Sequence, residues 1–193
     1  GWLDIFLLSG TRLDGAPPGT TNRLYRNNRD GTFTDVTEKA GVKSNVWSIV
    51  GAFFDYDKDG DLDCFIINHS LSKYTAGVQD NPELRKEHNP DFSSKLYRND
   101  NGKFSDVSDA AGIFSNVLTF GLGIAVSDFN NDGKPDLLVA SNSSAALTML
   151  FGKGDGMFQP PVSYASGSDP ASVAVFPLAV NLILSAPPYA HEV

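Results

Sequence analysis

The nine residues Asp55-Tyr56-Asp57-Lys58-Asp59-Gly60-Asp61-Leu62-Asp63 carry five carboxylates, and their pattern returns as Asp128-Phe129-Asn130-Asn131-Asp132-Gly133-Lys134-Pro135-Asp136. Gly1-Trp2-Leu3-Asp4 matches the last four positions of the same stretch. Apolar segments flank each copy. Residues 46–54 and 119–127 run into it, and Cys64-Phe65-Ile66-Ile67 and Leu137-Leu138-Val139-Ala140 run out of it. A short continuous apolar run between turn signals is the pattern of a strand covered on both faces. The pattern therefore predicts a strand, an acidic loop and a second strand.

Carboxylates packed this closely repel one another unless a cation gathers them. Calcium is the natural candidate, a hard ion taking six to eight oxygens from loop positions 1, 3 and 5 where a glycine at position 6 allows a sharp reversal. Asp55, Asp57 and Asp59 hold those positions, Gly60 the reversal, Asp61 offers its main-chain carbonyl and Asp63 closes the set from position 9. In the second loop the same roles fall to Asp128, Asn130, Asp132, the Lys134 carbonyl and Asp136, with the neutral Asn130 expected to weaken the site. One Ca²⁺ per complete loop is the expectation. An EF-hand is excluded, because its loop needs a Glu at position 12 and flanking helices. Position 12 is Ile66 in one loop and Val139 in the other, both inside strand-like runs. Magnesium favours fewer carboxylates and more retained water. An isolated acidic cluster is ordinarily a solvated turn; recurrence at fixed spacing, in phase with a second motif, argues against that reading here.

That second motif is Leu24-Tyr25-Arg26-Asn27 with Asp30-Gly31-Thr32-Phe33-Thr34-Asp35-Val36. It returns as Leu96-Tyr97-Arg98-Asn99 with Asn101-Gly102-Lys103-Phe104-Ser105-Asp106-Val107, and more weakly as Leu150-Phe151-Gly152 with Asp155-Gly156-Met157-Phe158. A Gly-containing turn between such runs predicts a β-hairpin. Residues 37–41 and 108–112 then read as single helical turns closed by glycine. Asp55 follows Leu24 by 31 residues and Asp128 follows Leu96 by 32, so hairpin and acidic loop travel together. The returns from one unit to the next vary in length, and residues 69–94 form the long insertion, a surface loop with Asn81-Pro82 and Asn89-Pro90. Four short strands per unit is the arithmetic of a β-propeller blade. The fold expected is all-β: a propeller fragment of about two complete four-stranded blades plus partial blades, carrying Asp-rich calcium loops.

These residues resemble FG-GAP/VCBS repeats, the calcium-loop blades of integrin-α-like β-propellers, and most of all the cartilage acidic protein-like variant. The elements that carry the likeness are Leu24 to Asn27, Ala40-Gly41, the loop from Phe53 to Asp61, and Phe120-Gly121 at the phenylalanine-glycine position. It covers residues 1–175, with blade motifs near 1–10, 24–68, 96–142 and 150–175; residues 176–193 have no acidic loop where the spacing requires one and read as a divergent or disordered tail. The resemblance implies a secreted or surface protein, extracellular, cell-surface or periplasmic. It implies structural Ca²⁺ in each loop, and adhesion or recognition of an extracellular protein or glycan rather than catalysis. Since such propellers have about seven blades, the rest of the ring is expected to lie outside this chain. The alternative is an accessory or substrate-binding domain of a secreted hydrolase acting on polysaccharide or lipid, with catalytic residues elsewhere or among His69, Asp80, Glu83 and His88. A wall or matrix component is a third reading.

Length and charge are compatible with one soluble acidic domain. With 193 residues and a net charge of −8, the chain lacks the concentrated basic surface that nucleic acid requires. Its longest apolar stretch, residues 173–186, is interrupted by Pro177 and Asn181 and is shorter than the roughly 20 residues of a membrane-spanning helix. Most of the 23 acidic residues are Asp, the residue of turns and metal loops, not Glu. Cys64, the single cysteine, excludes an intrachain disulfide and reads as a small buried hydrophobe. Catalytic arrangements are thin: His69, His88 and His191 are the only imidazoles, and Gly121-Leu122-Gly123 lacks the third glycine of a dinucleotide fingerprint. Arg26 and Arg98 recur with the hairpin and are expected to share a structural job, such as pairing with a loop carboxylate, rather than to bind ligand. Trp47 and the phenylalanines 53, 54, 65, 104, 120 and 129 are expected to fill the space between blades. Asn68-His69-Ser70 and Asn142-Ser143-Ser144 match the glycosylation acceptor pattern.

Overall fold

Each acidic loop joins two strands, as its apolar flanks predict. The computed structural model describes residues 2–10, 20–44, 46–69, 93–113, 121–141, 146–167, 170 and 172–175. Among them the chain forms β1 (Ile5–Leu7), β2 (Arg23–Asn27), β3 (Phe33–Asp35), the helical turn α1 (Thr37–Ala40), β4 (Ser48–Phe54), β5 (Asp63–Asn68), β6 (Lys95–Asp100) and β7 (Lys103–Asp106). The helical turn α2 (Ser108–Ala111) follows, then β8 (Gly121–Ser127), β9 (Asp136–Ser141), β10 (Ala146–Leu150) and β11 (Val162–Ala165). The strands build a three-stranded sheet, β1-β2-β3, and two four-stranded sheets, β4-β5-β6-β7 and β8-β9-β10-β11. All neighbours are antiparallel. The architecture is an all-β propeller fragment. The long insertion, apart from its ends, the tail, Phe120, His88, His191, Asp80, Glu83 and Asn142 lie outside the described residues.

The sheet and the repeating sequence unit are offset by half. Hairpin β2–β3 closes the first sheet, while the acidic loop that follows it in sequence lies between β4 and β5, in the second sheet. Between them stands α1, which ends on Gly41 at φ 82°. That left-handed conformation suits glycine. A Cβ on Gly41 would also lie 2.8 Å from the Phe104 carbonyl oxygen of β7, so the turn sits flush against the second sheet and delivers the chain to it.

Alternation along β5 divides the core into two layers. Cys64 and Ile66 point toward the first sheet and pack with Ala40, Val42, Tyr97 and Phe104, with Phe6, Leu8, Leu24 and Val36 against them. Phe65 and Ile67 point the other way and pack with Phe54, Tyr56, Leu96, Leu137, Leu150 and Phe158. A central strand buried on both faces explains why its sequence is apolar without a break. Phe54, Phe65 and Phe104 fill the space between sheets as expected. Phe53 is 42% exposed and meets Phe6 and Phe104 edge-on at the rim. At the end of the second sheet away from its acidic loop, Asn22 and Ser48 link the sheets. Asn22 Oδ1 accepts from Ser9 N and its Nδ2 donates to Ser48 Oγ; Ser48 Oγ donates to Asn68 Oδ1, and Asn68 Nδ2 to the Ser93 carbonyl. The three side chains are buried and hydrogen-bonded to one another. Asn68 is therefore a structural residue, inaccessible as a glycosylation acceptor.

The hairpin-to-helix joints repeat atom for atom. Asp35 Oδ1 accepts the N–H and hydroxyl of Thr37, whose Oγ1 in turn accepts from Leu24 N. Asp106, Ser108 and Leu96 do the same. Gly41 and Gly112 share φ 82°, yet nothing lies within 4 Å of a Cβ on Gly112. Gly112→Ala should therefore cost about 1–2 kcal/mol for its backbone conformation alone. Gly41→Ala should cost at least about 1 kcal/mol more, because β7 must also give way. Urea denaturation of the two variants measures the difference; equal losses would contradict the flush packing of α1 on β7.

Candidate metal centre

The first acidic loop is shaped by its own side chains. Asp55 Oδ1 accepts from Asp59 N and its Oδ2 from Gly60 N, at 3.0 and 3.1 Å, folding the loop back over position 1. Asp57 Oδ1 also accepts from Asp59 N, and Asp59 Oδ1 from Asp61 N. Lys58 at φ 66° and Gly60 at φ 97° supply the left-handed residues that the reversal needs. The result brings one carboxylate oxygen from each of Asp55, Asp57 and Asp63 within 4.8 Å of the others. Asp59 and Asp61 stand outside that triad, and the Asp61 carboxylate accepts from Asn101 N of the neighbouring hairpin instead.

Position 9 has a second job that its spacing alone does not reveal. Asp63 is fully buried, with Oδ2 accepting from Tyr56 N at 2.9 Å and Oδ1 from Asn99 N at 2.8 Å, while Asn99 Nδ2 donates to the Leu62 carbonyl. One carboxylate thus clamps the loop on itself and on strand β6. Asp136 repeats the clamp, accepting from Phe129 N and Gly152 N, each at 2.8 Å. Asp4 repeats half of it, with Oδ1 accepting from Asn27 N at 2.8 Å and Asn27 Nδ2 donating to the Leu3 carbonyl. The recurring asparagine of Leu-Tyr-Arg-Asn is the sequence signal from which this link could have been read. Burial, helped by the charges of Asp57 and Asp59, pushes the Asp63 carboxyl up to about 6 against the pull of its two N–H donors. Burial and the charge of Asp59 likewise raise Asp57.

An oxygen-only set of three converging carboxylates fits a hard divalent cation, whose charge would offset the burial and the mutual repulsion that raise Asp57 and Asp63. Asp55, Asp57 and Asp63 are the residues that would hold it. The second loop has the same fold, with Asp128 accepting from Asp132 N and Gly133 N, and Asn130 Oδ1 accepting from Asp132 N. Its charges are arranged differently. Asn130 Nδ2 donates to Asp132 Oδ2, and the Lys134 ammonium stands 3.3 Å from the same oxygen. Burial opposes ionisation of Asp132, but these two partners outweigh it and hold the carboxyl below the usual range. Lys58 Nζ donates to the Gly133 carbonyl, so the two loops lie side by side.

The remaining candidates have structural surroundings. Arg98 hydrogen-bonds to Asp100 on its own strand through Nε and Nη2 at the exposed end of β6, and its charge also acts on the loop carboxylate of Asp57. Arg26 is exposed. Cys64 is buried, and burial pushes its thiol up to about 12, far from a nucleophile's range. The His69 ring lies 4.7 Å from that of Trp47.

An FG-GAP-like repeat family matches the chain three times, over residues 1–66, 88–139 and 128–178. No curated protein matches it. With the matches covering most of its length, the chain belongs to the FG-GAP-like repeat family. Repeats of this family are generally non-catalytic and often serve as extracellular ligand-recognition modules.

Because both oxygens of Asp63 serve backbone N–H groups, one buried and one half-buried, Asp63→Ala should destabilise the metal-free chain by about 2–4 kcal/mol, roughly one orphaned donor's cost apiece. Asp59→Ala, at an exposed position, should stay within about 0.5 kcal/mol of the parent in the same chelator-containing buffer. Denaturant midpoints decide it, and comparable losses in the two variants would rule out the clamp.

Proposed function

We propose that this chain is a non-catalytic, calcium-binding propeller segment of the integrin-α-like kind, working outside the cell in adhesion or in recognition of a protein or glycan. The observation that carries the reading is the convergence of Asp55, Asp57 and Asp63 on one point in a loop that repeats. The ion's role is structural. It neutralises the loop and stiffens the turn between β4 and β5, which in turn positions Tyr56 on the Phe158 ring of the next sheet. Affinities of roughly 10⁻⁴ to 10⁻³ M suit an extracellular module, where calcium is plentiful. The antiparallel order of β4 to β7 supports a division of labour. The acidic loop and the β6–β7 turn share one end of the sheet, and the connection from Asn68 to Lys95 leaves from the other. In this reading the variable connection is the recognition surface while the metal end holds the blade.

Since calcium binds the folded chain and not the unfolded one, it should raise the melting temperature, and a chelator should lower it. Asp55→Ala and Asp57→Ala should each reduce that calcium-induced rise. The rise should also depend on pH in a definite direction. Asp63 titrates near 6 in the metal-free fold, above its unfolded value, so its ionisation destabilises the metal-free fold as pH rises from about 4 through 6. Calcium requires the ionised form, so the gap between melting temperatures in calcium and in chelator should widen from pH 5 to pH 7. Scanning calorimetry at the two pH values is the test. A gap of zero at pH 7, or one that shrinks with rising pH, would sink the reading.

A further inference from the structure

The two acidic loops touch, and packing fixes their approach. Tyr56, at position 2 of the first loop, stacks on Phe158 of the third sheet with ring centroids 6.4 Å apart and planes 22° from parallel. The turn of residues 153–157, closed by Lys153 N donating to the Met157 carbonyl, lies against both loops. A Cβ on Gly156 would meet Tyr56 Oη at 3.4 Å and Asp57 Cβ at 3.8 Å, and one on Gly154 would meet the Lys134 stem at 3.1 Å. The turn is thus wedged against one loop at Gly156 and the other at Gly154, and the loops stay side by side whatever charges their surfaces carry.

Across this contact the first loop hands a charge to the second. Lys58, at position 4, is the one lysine among its nine residues, beside five aspartates. Its ammonium donates to the Gly133 carbonyl of the second loop at 3.3 Å. The N–H of the same peptide group, that of Lys134, donates to Asp132 Oδ1, so Lys58 acts on the second loop's carboxylates through a single polarised peptide. Asn131, the residue at position 4 of the second loop, is neutral and returns no charge. By sequence the first loop carries 5 − 1 = 4 net negative charges and the second, with Asp128, Asp132, Asp136 and Lys134, carries 3 − 1 = 2. With Lys58 counted where its ammonium lies, the balance is 5 against 1.

We propose that Lys58 sets the order in which the two loops take up a divalent cation, leaving the first loop the stronger site and lowering the affinity of the second. The inference rests on the calcium reading above and deepens it, since the loop pattern gives position 4 no role. An ammonium held at the second loop repels a dication arriving there, and its absence from the first loop leaves five carboxylates unopposed. The coupling runs both ways, as it must. An ion in the first loop weakens the pull of those carboxylates on Lys58 and so keeps it on the second loop; an ion in the second loop drives Lys58 back toward the first. Each occupancy therefore disfavours the other.

The probe is Ca²⁺ itself, titrated into the isotope-labelled full chain after chelator treatment and followed by amide NMR shifts. Gly60 and Gly133 report the loops separately, because their N–H groups bond Asp55 and Asp128. Gly60 should reach its midpoint at lower calcium than Gly133. Lys58→Gln keeps an N–H donor and removes the charge, and should bring the two midpoints closer by about threefold or more. Lys58 is exposed, so the variant should fold, and Lys58→Arg should restore the gap. Gly133 filling first, an unchanged ratio of midpoints in Lys58→Gln, or a Gly133 amide silent in parent and variant alike would overturn the proposal while calcium still bound the first loop. No saturable response at either glycine would overturn the calcium reading and this inference with it.

Discussion

A buried aspartate at the ninth loop position holds this molecule together. Asp63 and Asp136 are withdrawn from water, a cost that a carboxylate sustains only if its oxygens are well bonded. Each satisfies two backbone N–H groups, one from its own loop and one from the next strand hairpin. Because that second group lies 36 residues away for Asp63, the bond ties a local turn to the long-range pairing of β5 with β6. Loop shape, hairpin position and sheet register are therefore one problem with one solution, met fully in two loops and by half at Asp4.

The same bond explains the charge arrangement. Fixing Asp63 beneath the loop sets its carboxylate beside Asp55 and Asp57, and burial first, with like-charge repulsion second, raises the Asp57 and Asp63 carboxyls there. The second loop relieves its repulsion with its own groups, Asn130 and the Lys134 ammonium. Two loops of one fold thus differ in how much they would gain from a divalent cation, the first more than the second.

Much of the fold was legible in the sequence because it repeats. The unbroken apolar run at Cys64 to Ile67 announced a strand buried on both faces, Asn101-Gly102 a hairpin, and Gly41 and Gly112 the ends of helical turns. The offset between sequence unit and sheet was not legible. It depends on the contact of Gly41 with the Phe104 carbonyl, which no local pattern encodes. The direct partner of Arg98 is Asp100, while its charge also reaches the loop carboxylate Asp57. A residue two places along its own strand competes with a more distant loop carboxylate, and proximity wins when both are exposed. At the candidate site, spacing alone named the acidic positions. Spacing had already assigned Asp61 only its main-chain carbonyl; that its carboxylate binds the hairpin, and that Asp59 stands outside the converging Asp55, Asp57 and Asp63, required the fold.

The central claim is that the first acidic loop is a cage for a divalent ion built on a buried clamp. Anomalous scattering from crystals grown with calcium tests it most directly. The account predicts a peak bonded at about 2.3–2.6 Å to carboxylate oxygens of Asp55, Asp57 and Asp63. A map with no peak there, in crystals whose loop is well ordered, would contradict it.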